Sequence, residues 1–340
     1  MLEKPDLADV VITNCLRETY DVHVSALIFL PLGADRNTAV YRADAASGAR
    51  YFVKLRRGAF DTTSVLVPTH LHEQGVTGII APIRTAVERL YADLGEFRVM
   101  VFPFIDGRDG WEVDLSDRQW GEFGRALRSF HAAALPAEVL TQIERERFSS
   151  EWRDQVRRFL VRAAVESFAD PVSAELAALL RDRRAAITRL IACAERLGSS
   201  LSRRELPFIL CHADIHVGNL LIAPEGTVYL VDWDTLTLAP RERDLMFIGG
   251  GLNGAKSDAD REMRCFYEGY GAVEIDAAAL AYYRCERIVQ DVAAYCEQIL
   301  LTAGGSADRP EGLRQLRSQF EPGGGVEYAF RAASAAGCSS

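Results

Sequence analysis

The sequence predicts an α+β fold in two lobes, a small β-rich lobe followed by a larger, mainly helical one. Short apolar runs separated by turn residues fill the first hundred positions, helical periodicity takes over after Pro103, and strand patterns return briefly over residues 208–231. At ~150 residues per domain, a chain of 340 residues is long enough for about two domains. We place the lobes at residues 1–103 and 104–335, and we expect residues 336–340 to form a flexible tail.

The composition is that of a globular protein, with 49% hydrophobic and 26% charged residues. No apolar run reaches the ~18 residues of a membrane span, and the N-terminus lacks the pattern of a signal peptide, so we expect a cytoplasmic protein without membrane contact. Seven scattered cysteines without a C-x-x-C pair indicate reduced thiols. The net charge of −9 argues against nucleic-acid binding and suits a cationic small molecule, although solubility alone explains an acidic surface at least as well.

The first lobe shows an alternation of strands and turns. A helix is also indicated over residues 62–74, although Pro68 is unfavourable inside it. The predicted strands cover residues 27–30, 39–42, 50–55, 79–83 and 97–102. The first three strands form a strand–turn–strand–turn–strand pattern, with glycine in the first turn.

The second lobe opens with a clear helix start. Ser116 and Gln119 form a capping box, apolar residues then recur at helical spacing, and Pro136 ends the run. Further helices are predicted over residues 152–169, 173–197 and, after the hairpin, up to about 303. The intervening strands are predicted at residues 208–211, 220–222 and 228–231.

The most informative motif joins two strand ends. His212, Asp214 and Asn219 follow an apolar strand with the spacing H-x-D-x-x-x-x-N, and Asp232 ends the next hairpin. Phosphoryl transfer from ATP needs one carboxylate to accept the proton of the acceptor hydroxyl, and an amide with a second carboxylate to hold Mg²⁺. A hairpin of this length brings the second carboxylate back beside the first loop.

Two other interpretations of this motif exist. The Asp-x-x-x-x-Asn spacing occurs often by chance, and His212, Asp214 and His216 at alternate positions form a possible transition-metal site. The metal site leaves Asn219 and the later carboxylate without a role. Lys54, one of only three lysines in the chain, lies in a predicted strand upstream and favours the kinase interpretation.

The chain resembles the aminoglycoside phosphotransferases, a family with a protein-kinase-like fold. The resemblance rests on residues 212–219 and covers nearly the whole chain. Residues 241–251, 266–271 and 282–289 are most similar to family members that act on spectinomycin. The resemblance implies ATP-dependent phosphorylation of this aminocyclitol at its 9-hydroxyl, and hence antibiotic resistance. Kinases of other aminoglycosides, choline, homoserine, methylthioribose or macrolides share the motifs, and a nucleotide-binding protein without turnover is a further alternative.

The resemblance also implies roles for individual residues. Asp214 corresponds to the catalytic base, Asn219 and Asp232 to the Mg²⁺ ligands, and Lys54 to the lysine that meets the α- and β-phosphates of ATP. Magnesium prefers hard oxygen ligands, which an amide and a carboxylate supply. ATP and Mg²⁺ are thus the expected cofactors, and we expect a monomer.

Four further positions are assigned to the nucleotide by the same resemblance. The segment from Gly33 to Asn37 corresponds to the loop that covers the nucleotide, although it holds one glycine where protein kinases have three. Pro103 and Ile105 lie at the hinge, where main-chain groups would meet the adenine edge.

Three acidic residues are candidates for binding a cationic antibiotic, namely Asp234, Glu286 and Asp291. Each has a structural alternative: Asp291, for instance, can pair with Arg287 one helical turn away.

The sequence departs from the kinase pattern in one respect. Kinases pair the strand lysine with a glutamate in the middle of the following helix, and the acids available between Lys54 and Gly75 are only Asp61 and Glu73, at its two ends. We expect Lys54 to be held either by Asp232 and the phosphates alone or by Asp61.

Overall fold

The computed structural model describes residues 4–33, 37–249, 258–301 and 308–338. Two compact units are formed by segments that alternate along the chain. The first unit comprises the described residues of Met1–Asp114, Ala126–Ile143 and Gly218–Leu236, and the second those of Leu115–Arg125, Glu144–Val217 and Thr237–Ser340. The predicted lobe boundary at 103/104 stays a prediction.

The described residues contain ten strands. These are β1 (Val24–Leu30), β2 (Thr38–Ala45), β3 (Arg50–Arg57), β4 (Ala92–Leu94), β5 (Phe97–Pro103), β6 (Arg108–Asp109), β7 (Ile209–Cys211), β8 (Leu220–Ile222), β9 (Val228–Leu230) and β10 (Thr237–Ala239). The strands predicted in the first lobe at 27–30, 39–42, 50–55 and 97–102 are confirmed, as are those predicted at 208–211, 220–222 and 228–231. The strand predicted at 79–83 is wrong: Ile79 forms only an isolated bridge with Leu230, because Pro82 lacks the N–H that a strand ladder needs.

Twelve α-helices complete the described structure. They are α1 (Asp9–Tyr20), α2 (Thr63–Glu73), α3 (Asp117–Ala132), α4 (Ala137–Leu140), α5 (Glu151–Val165), α6 (Pro171–Asp182), α7 (Arg184–Leu201), α8 (Glu242–Leu245), α9 (Ala259–Tyr270), α10 (Ala277–Leu300), α11 (Asp308–Ser318) and α12 (Gly325–Ala335). None of the described helices combines the length and the hydropathy of a membrane-spanning segment.

The first unit is built on an antiparallel five-stranded sheet with the strand order β1-β2-β3-β5-β4. Val53 and Leu55 of β3 are fully buried in a cluster that includes Ile12 and Leu16 of α1. Because side chains alternate across a strand, Lys54 between them points to the opposite face of the sheet. The sequence analysis did not predict α1, although its buried residues recur every four positions.

A second, three-stranded sheet in the same unit has the order β6-β8-β9. Leu220 of β8 lies opposite Leu230 of β9, so the two strands form a hairpin, as predicted. Gly107 precedes β6 where a Cβ atom would come within 2.9 Å of the carbonyl oxygen of Ile222, which explains glycine at this close approach.

The second unit is mainly helical and centres on α10, which is 24 residues long. Its apolar residues, among them Cys285, Ile288, Val292 and Ile299, are almost fully buried and form one face of the helix. Helix α10 packs against α7, α12, α5 and α11. The single helix predicted at 173–197 is instead two helices that meet at Arg183, and the first of them begins with Asp170 as N-cap and Pro171 in the first turn.

The capping box predicted for α3 is present. The Ser116 amide donates to Gln119 Oε1 at 2.9 Å, and the Gln119 amide donates to Ser116 Oγ at 3.3 Å. The C-terminal segment is packed as far as it is described. Cys338 is 7% exposed, whereas Ser339 and Ser340 lie outside the described residues, so the flexible tail at 336–340 stays a prediction.

Candidate active site

Lys54 lies in the centre of the five-stranded sheet, opposite Val40 of β2 and Met100 of β5. Its Nζ donates to Asp232 Oδ1 at 3.0 Å and to Asp234 Oδ2 at 2.7 Å. The lysine side chain is 14% exposed, and the two carboxylates are 50% and 32% exposed. The first unit thus brings together one ammonium group and two carboxylates that open to solvent.

The two carboxylates determine the protonation of the lysine. Burial lowers the pKa of Lys54, but the carboxylates of Asp232 and Asp234 outweigh it, so the pKa lies above its ordinary value. Lys54 therefore stays cationic at neutral pH.

The carboxylates are held in place by the residue between them. Trp233 is 5% exposed, and its ring packs edge-on against Phe130 at a centroid distance of 5.3 Å. Asp232 adopts a left-handed backbone conformation with φ of 66°, which costs of order 1–3 kcal/mol in a non-glycine residue. Strain of this kind persists where packing enforces it, and it is frequent in functional loops.

Neither acid at the ends of α2 meets the lysine. Asp61 Oδ1 accepts from the Thr63 amide at 2.9 Å at the start of the helix, and Glu73 pairs with Arg84 at 3.0 Å. The sequence analysis expected Lys54 to be held either by Asp232 and the phosphates alone or by Asp61. Asp234, which it assigned to substrate, supplies the second carboxylate instead.

Asn219 lies at the same end of the β8–β9 hairpin as Asp232. It closes a short 3-10 turn before β8, and its carbonyl oxygen accepts from the Val231 amide at 3.0 Å. The hairpin thus places the amide side chain and the carboxylate on adjacent strand ends, as the sequence predicts. Both groups carry the hard oxygen donors that Mg²⁺ prefers, and Asp232 is half exposed, so these residues fit such an ion.

The positions assigned to the nucleotide flank the five-stranded sheet. Gly33 follows β1 in a left-handed conformation and Asn37 precedes β2, whereas residues 34–36 lie outside the described residues. Pro103 ends β5 opposite Tyr51 of β3. Within the described residues the main chain of Ile105 makes no hydrogen bond, which leaves its N–H and C=O suited to the edge of a purine.

In the second unit the loop that carries Asp214 follows β7. Ala213 has a φ of 67°, a left-handed conformation that an alanine rarely adopts. Asp244 of α8, fully buried, accepts from the His212 amide at 2.9 Å and from the Ala213 amide at 2.6 Å. This one carboxylate stabilises the strained turn and so fixes the direction of the next residue. Sequence reasoning quoted Asp244 within residues 241–251 but gave it no role.

The side chain of Asp214 is paired with Arg287 of α10. Arg287 also pairs with Asp291 at 3.0 Å across one helical turn, which is the structural alternative that the sequence offered for Asp291. Burial lowers the pKa of Arg287, but the carboxylates of Asp291 and Asp214 outweigh it and raise the pKa above its ordinary value. Sequence reasoning missed the contact of Arg287 with Asp214 because 72 residues separate them in the chain.

The other two predicted substrate contacts, Glu286 and Asp291, also have internal partners. Glu286 is 2% exposed and pairs with Arg153 at 2.8 Å; burial raises its pKa to about 7. Burial likewise raises the pKa of Asp291, whose partner is Arg287. The geometry favours a structural role for Glu286, and substrate binding by either residue stays a prediction.

The alternative metal site at His212, Asp214 and His216 gains no support. Nε2 of His216 lies 3.8 Å from Asp214 Oδ1, and His212 is fully buried. Among the described residues, the ligand atoms of these three side chains do not converge as the ligands of one ion would.

Comparisons with known proteins agree with this geometry. The model of the phosphotransferase enzyme family (APH) matches residues 29–281. Spectinomycin phosphotransferase APH(9)-Ia in complex with ADP and spectinomycin is 35% identical, with a TM-score of 0.89 over 97% of this chain and 99% of that chain. The AMP-bound complex of that enzyme is 34% identical, with a TM-score of 0.85 over 96% and 99%.

A more distant structure shares the fold alone. It is an aminoglycoside phosphotransferase from Alicyclobacillus acidocaldarius, 17% identical with a TM-score of 0.63 over 98% of both chains. No protein of curated function matches the chain. The predicted α+β kinase-like fold, with a β-sheet N-terminal region and a helical C-terminal region, is confirmed. A family match over most of the chain, together with these structures, shows that the chain belongs to the aminoglycoside phosphotransferase family and is an ATP-dependent phosphotransferase that acts on an alcohol group.

Proposed function

We propose that the protein phosphorylates spectinomycin, at its 9-hydroxyl, with ATP and Mg²⁺. The observation that carries this proposal is the 35% identity, over 97% of the chain, with a spectinomycin phosphotransferase whose structure contains ADP and spectinomycin. Similarity over nearly the full length of both proteins includes the substrate-binding regions as well as the nucleotide-binding ones. A phosphate adds a charge of about −1.5 to −2 to the drug and so confers resistance by weakening its binding to its target.

The residues of the first unit act on the nucleotide. Lys54 exchanges its two carboxylate partners for the α- and β-phosphates, which their exposure to solvent permits. The main chain at Pro103 and Ile105 orients adenine, and Gly33 and Asn37 contact the phosphates. Asn219 and Asp232 would hold Mg²⁺, which neutralises charge that develops on the phosphate oxygens.

Asp214 acts on the acceptor. Its carboxylate accepts the proton of the hydroxyl while the hydroxyl oxygen bonds to the γ-phosphorus and the bond from that phosphorus to ADP breaks. A positioned base contributes roughly 10²–10⁴-fold to the rate.

The charge of this region suits a cationic antibiotic. Asp214, Arg287 and Asp291 together carry one positive and two negative charges, so the cluster retains an excess negative charge. The secondary amines of spectinomycin are protonated at neutral pH. Asp234, Glu286 and Asp291 remain candidates for contact with them, and burial makes Glu286, at 2% exposure, the weakest of the three.

Mass spectrometry of the product tests the proposal. Purified protein is incubated with ATP, Mg²⁺ and each of a panel of compounds: spectinomycin, other aminoglycosides, a macrolide, choline and homoserine. We expect a phosphorylated product from spectinomycin, with fragmentation that places the phosphate at the 9-hydroxyl. Phosphorylation of another compound with none of spectinomycin would overturn the substrate assignment and keep the reaction class.

A further inference from the structure

Asp214 contacts an arginine that comes from a distant helix. Nη1 of Arg287 in α10 donates to Asp214 Oδ1, and both side chains are less than one quarter exposed. Nε2 of His216 lies 3.8 Å from the same oxygen. The hydrogen bond from Arg287 restricts rotation of the carboxylate about the Cβ–Cγ bond, whereas the distance to His216 is too long for a hydrogen bond.

Arg287 itself is fixed from two further directions. Its Nε pairs with Asp291 Oδ1 at 3.0 Å, so separate edges of one guanidinium face two carboxylates. The guanidinium lies 5.5 Å from the ring centroid of Phe247, which is 1% exposed. A planar guanidinium held at its edge and on its face is a rigid support, which a flexible ammonium group would not be.

The other end of the pair is fixed as well. Asp214 follows the strained Ala213, whose amide donates to Asp244. The backbone of Asp214 is therefore constrained in addition to its side chain. Asp291 is held in turn by the Nε2 of Gln319, at 3.4 Å from its Oδ2. A contiguous set of contacts thus runs from α10 to the carboxylate that the proposed function makes the base.

We propose that Arg287 is a positioning residue, which holds the Asp214 carboxylate in the orientation needed to accept the hydroxyl proton. The inference rests on the proposed function, because it assigns a purpose to the orientation of that base. Because Arg287 acts through Asp214, removing Arg287 should change kcat little in a protein that already lacks the Asp214 carboxylate. Catalysis is sensitive to such placement: a 1 Å displacement of a reacting group costs roughly 10²-fold.

A double-mutant cycle tests the inference. We measure kcat and the KM for ATP, with product detected by mass spectrometry, for wild type, R287A, D214N and the double variant. We expect R287A to lower kcat roughly 10²-fold with an unchanged KM for ATP, and the double variant to be no slower than D214N alone. Multiplicative losses in the double variant would show that Arg287 does not act through Asp214.

Three further measurements separate positioning from general stability. R287K retains the charge and loses the fork, so we expect kcat between those of wild type and R287A. Added methylguanidinium should restore part of the activity of R287A, and urea should not. R314A removes an exposed arginine paired with Glu311 in α11 and should match wild type. If R287A fails to fold, a double-mutant cycle of R287K with D214N tests whether Arg287 acts through Asp214.

The outcomes also separate this inference from the substrate assignment. If R287A and D214N show non-additive losses of kcat with a substrate other than spectinomycin, the role of Arg287 stands and the substrate assignment is overturned. Turnover of spectinomycin at wild-type rate by R287A keeps the proposed function and overturns the inference. A wild-type protein that phosphorylates none of the panel compounds overturns both.

Discussion

Each unit contains one cluster of charged side chains. The two clusters have the same number of positive and negative charges, but a different cation holds each of them together. In the first unit Lys54 lies between Asp232 and Asp234, and in the second Arg287 lies between Asp214 and Asp291. Each cluster holds one cation and two carboxylates. In the first, the cation is the proposed working group and its partners are 50% and 32% exposed. In the second, a carboxylate is the proposed working group and the cation is the more rigid support.

The difference follows from the chemistry of the two cations. An ammonium group on a flexible stem exchanges one set of oxygens for another at little cost, which suits a residue that must turn from carboxylates to phosphates. A guanidinium holds two oxygens at fixed angles, which suits a residue that keeps a base in place. The same count of charges thus gives an exchangeable site in one unit and a preorganised site in the other.

Removing the working carboxylate of the second cluster should have the largest effect. We expect D214N to lower kcat roughly 10²–10⁴-fold, because the amide cannot accept the hydroxyl proton, and to leave ATP affinity unchanged. Calorimetry of ATP binding and the mass spectrometric assay measure the two quantities. D93N, at an exposed ion pair with Arg89 and Arg98, is the matched control. Loss of ATP binding in D214N would contradict the assignment of the nucleotide to the first cluster and the acceptor hydroxyl to the second.

Removing the working cation of the first cluster should affect the nucleotide. We expect K54M to lower kcat/KM for ATP roughly 10²–10³-fold, since one electrostatic contact to the phosphates is lost. The chain offers a matched control in K4M, at an exposed lysine that pairs with Asp9. Initial rates at varied ATP concentration measure both. Equal rates in K54M and wild type would show that Lys54 does not contact the nucleotide.

The partner of the lysine is the next point to test. We expect D234N to lower the KM for ATP roughly tenfold, because Lys54 no longer gives up a hydrogen bond between charged groups, worth about 1.5 kcal/mol, when it turns to the phosphates. D61N keeps the oxygen that caps α2 and should leave the KM unchanged. If instead D234N raises the KM for spectinomycin alone, Asp234 is the substrate contact that the sequence suggested.

The smallest effect concerns the buried pair of Glu286 and Arg153. Because the pKa of Glu286 is raised to about 7 in the folded protein, from 4.5, its protonation stabilises the fold below that range. This stabilisation is lost as pH rises from about 4.5 to about 7. We therefore expect the free energy of unfolding to fall more steeply with pH in wild type than in E286Q. Urea denaturation of both proteins at about pH 5 and about pH 8 measures it. Parallel pH dependence would contradict the assignment, and a raised KM for spectinomycin in E286Q would restore its predicted role in binding.

The parts of the fold that the sequence predicted are those with local patterns. Strands β1, β2, β3 and β5, the capped helix α3 and the β8–β9 hairpin each show their periodicity or cap within about twenty residues. The separation of α6 from α7 was missed because the helical pattern continues through Arg183, and only the backbone there shows the break.

The same limit applies to the site. Lys54, Asp214, Asn219 and Asp232 follow from short motifs in order along the chain, and the hairpin that brings Asn219 and Val231 together was predicted from its length. Asp244 and Arg287 were not predicted in their roles, because each contacts the loop that carries Asp214 only through the tertiary fold. Asp234 was assigned to the substrate because no local signal distinguishes it from a carboxylate that pairs with Lys54.

The most direct test is a crystal structure of the protein with a non-hydrolysable ATP analogue, Mg²⁺ and spectinomycin. We predict that an oxygen of Asp214 lies within hydrogen-bonding distance of the 9-hydroxyl, that Asn219 and Asp232 bind the metal ion, and that Lys54 has turned from its carboxylates to the phosphates. A complex in which spectinomycin binds with no hydroxyl near Asp214, or in which the nucleotide lies away from Lys54, would contradict the account.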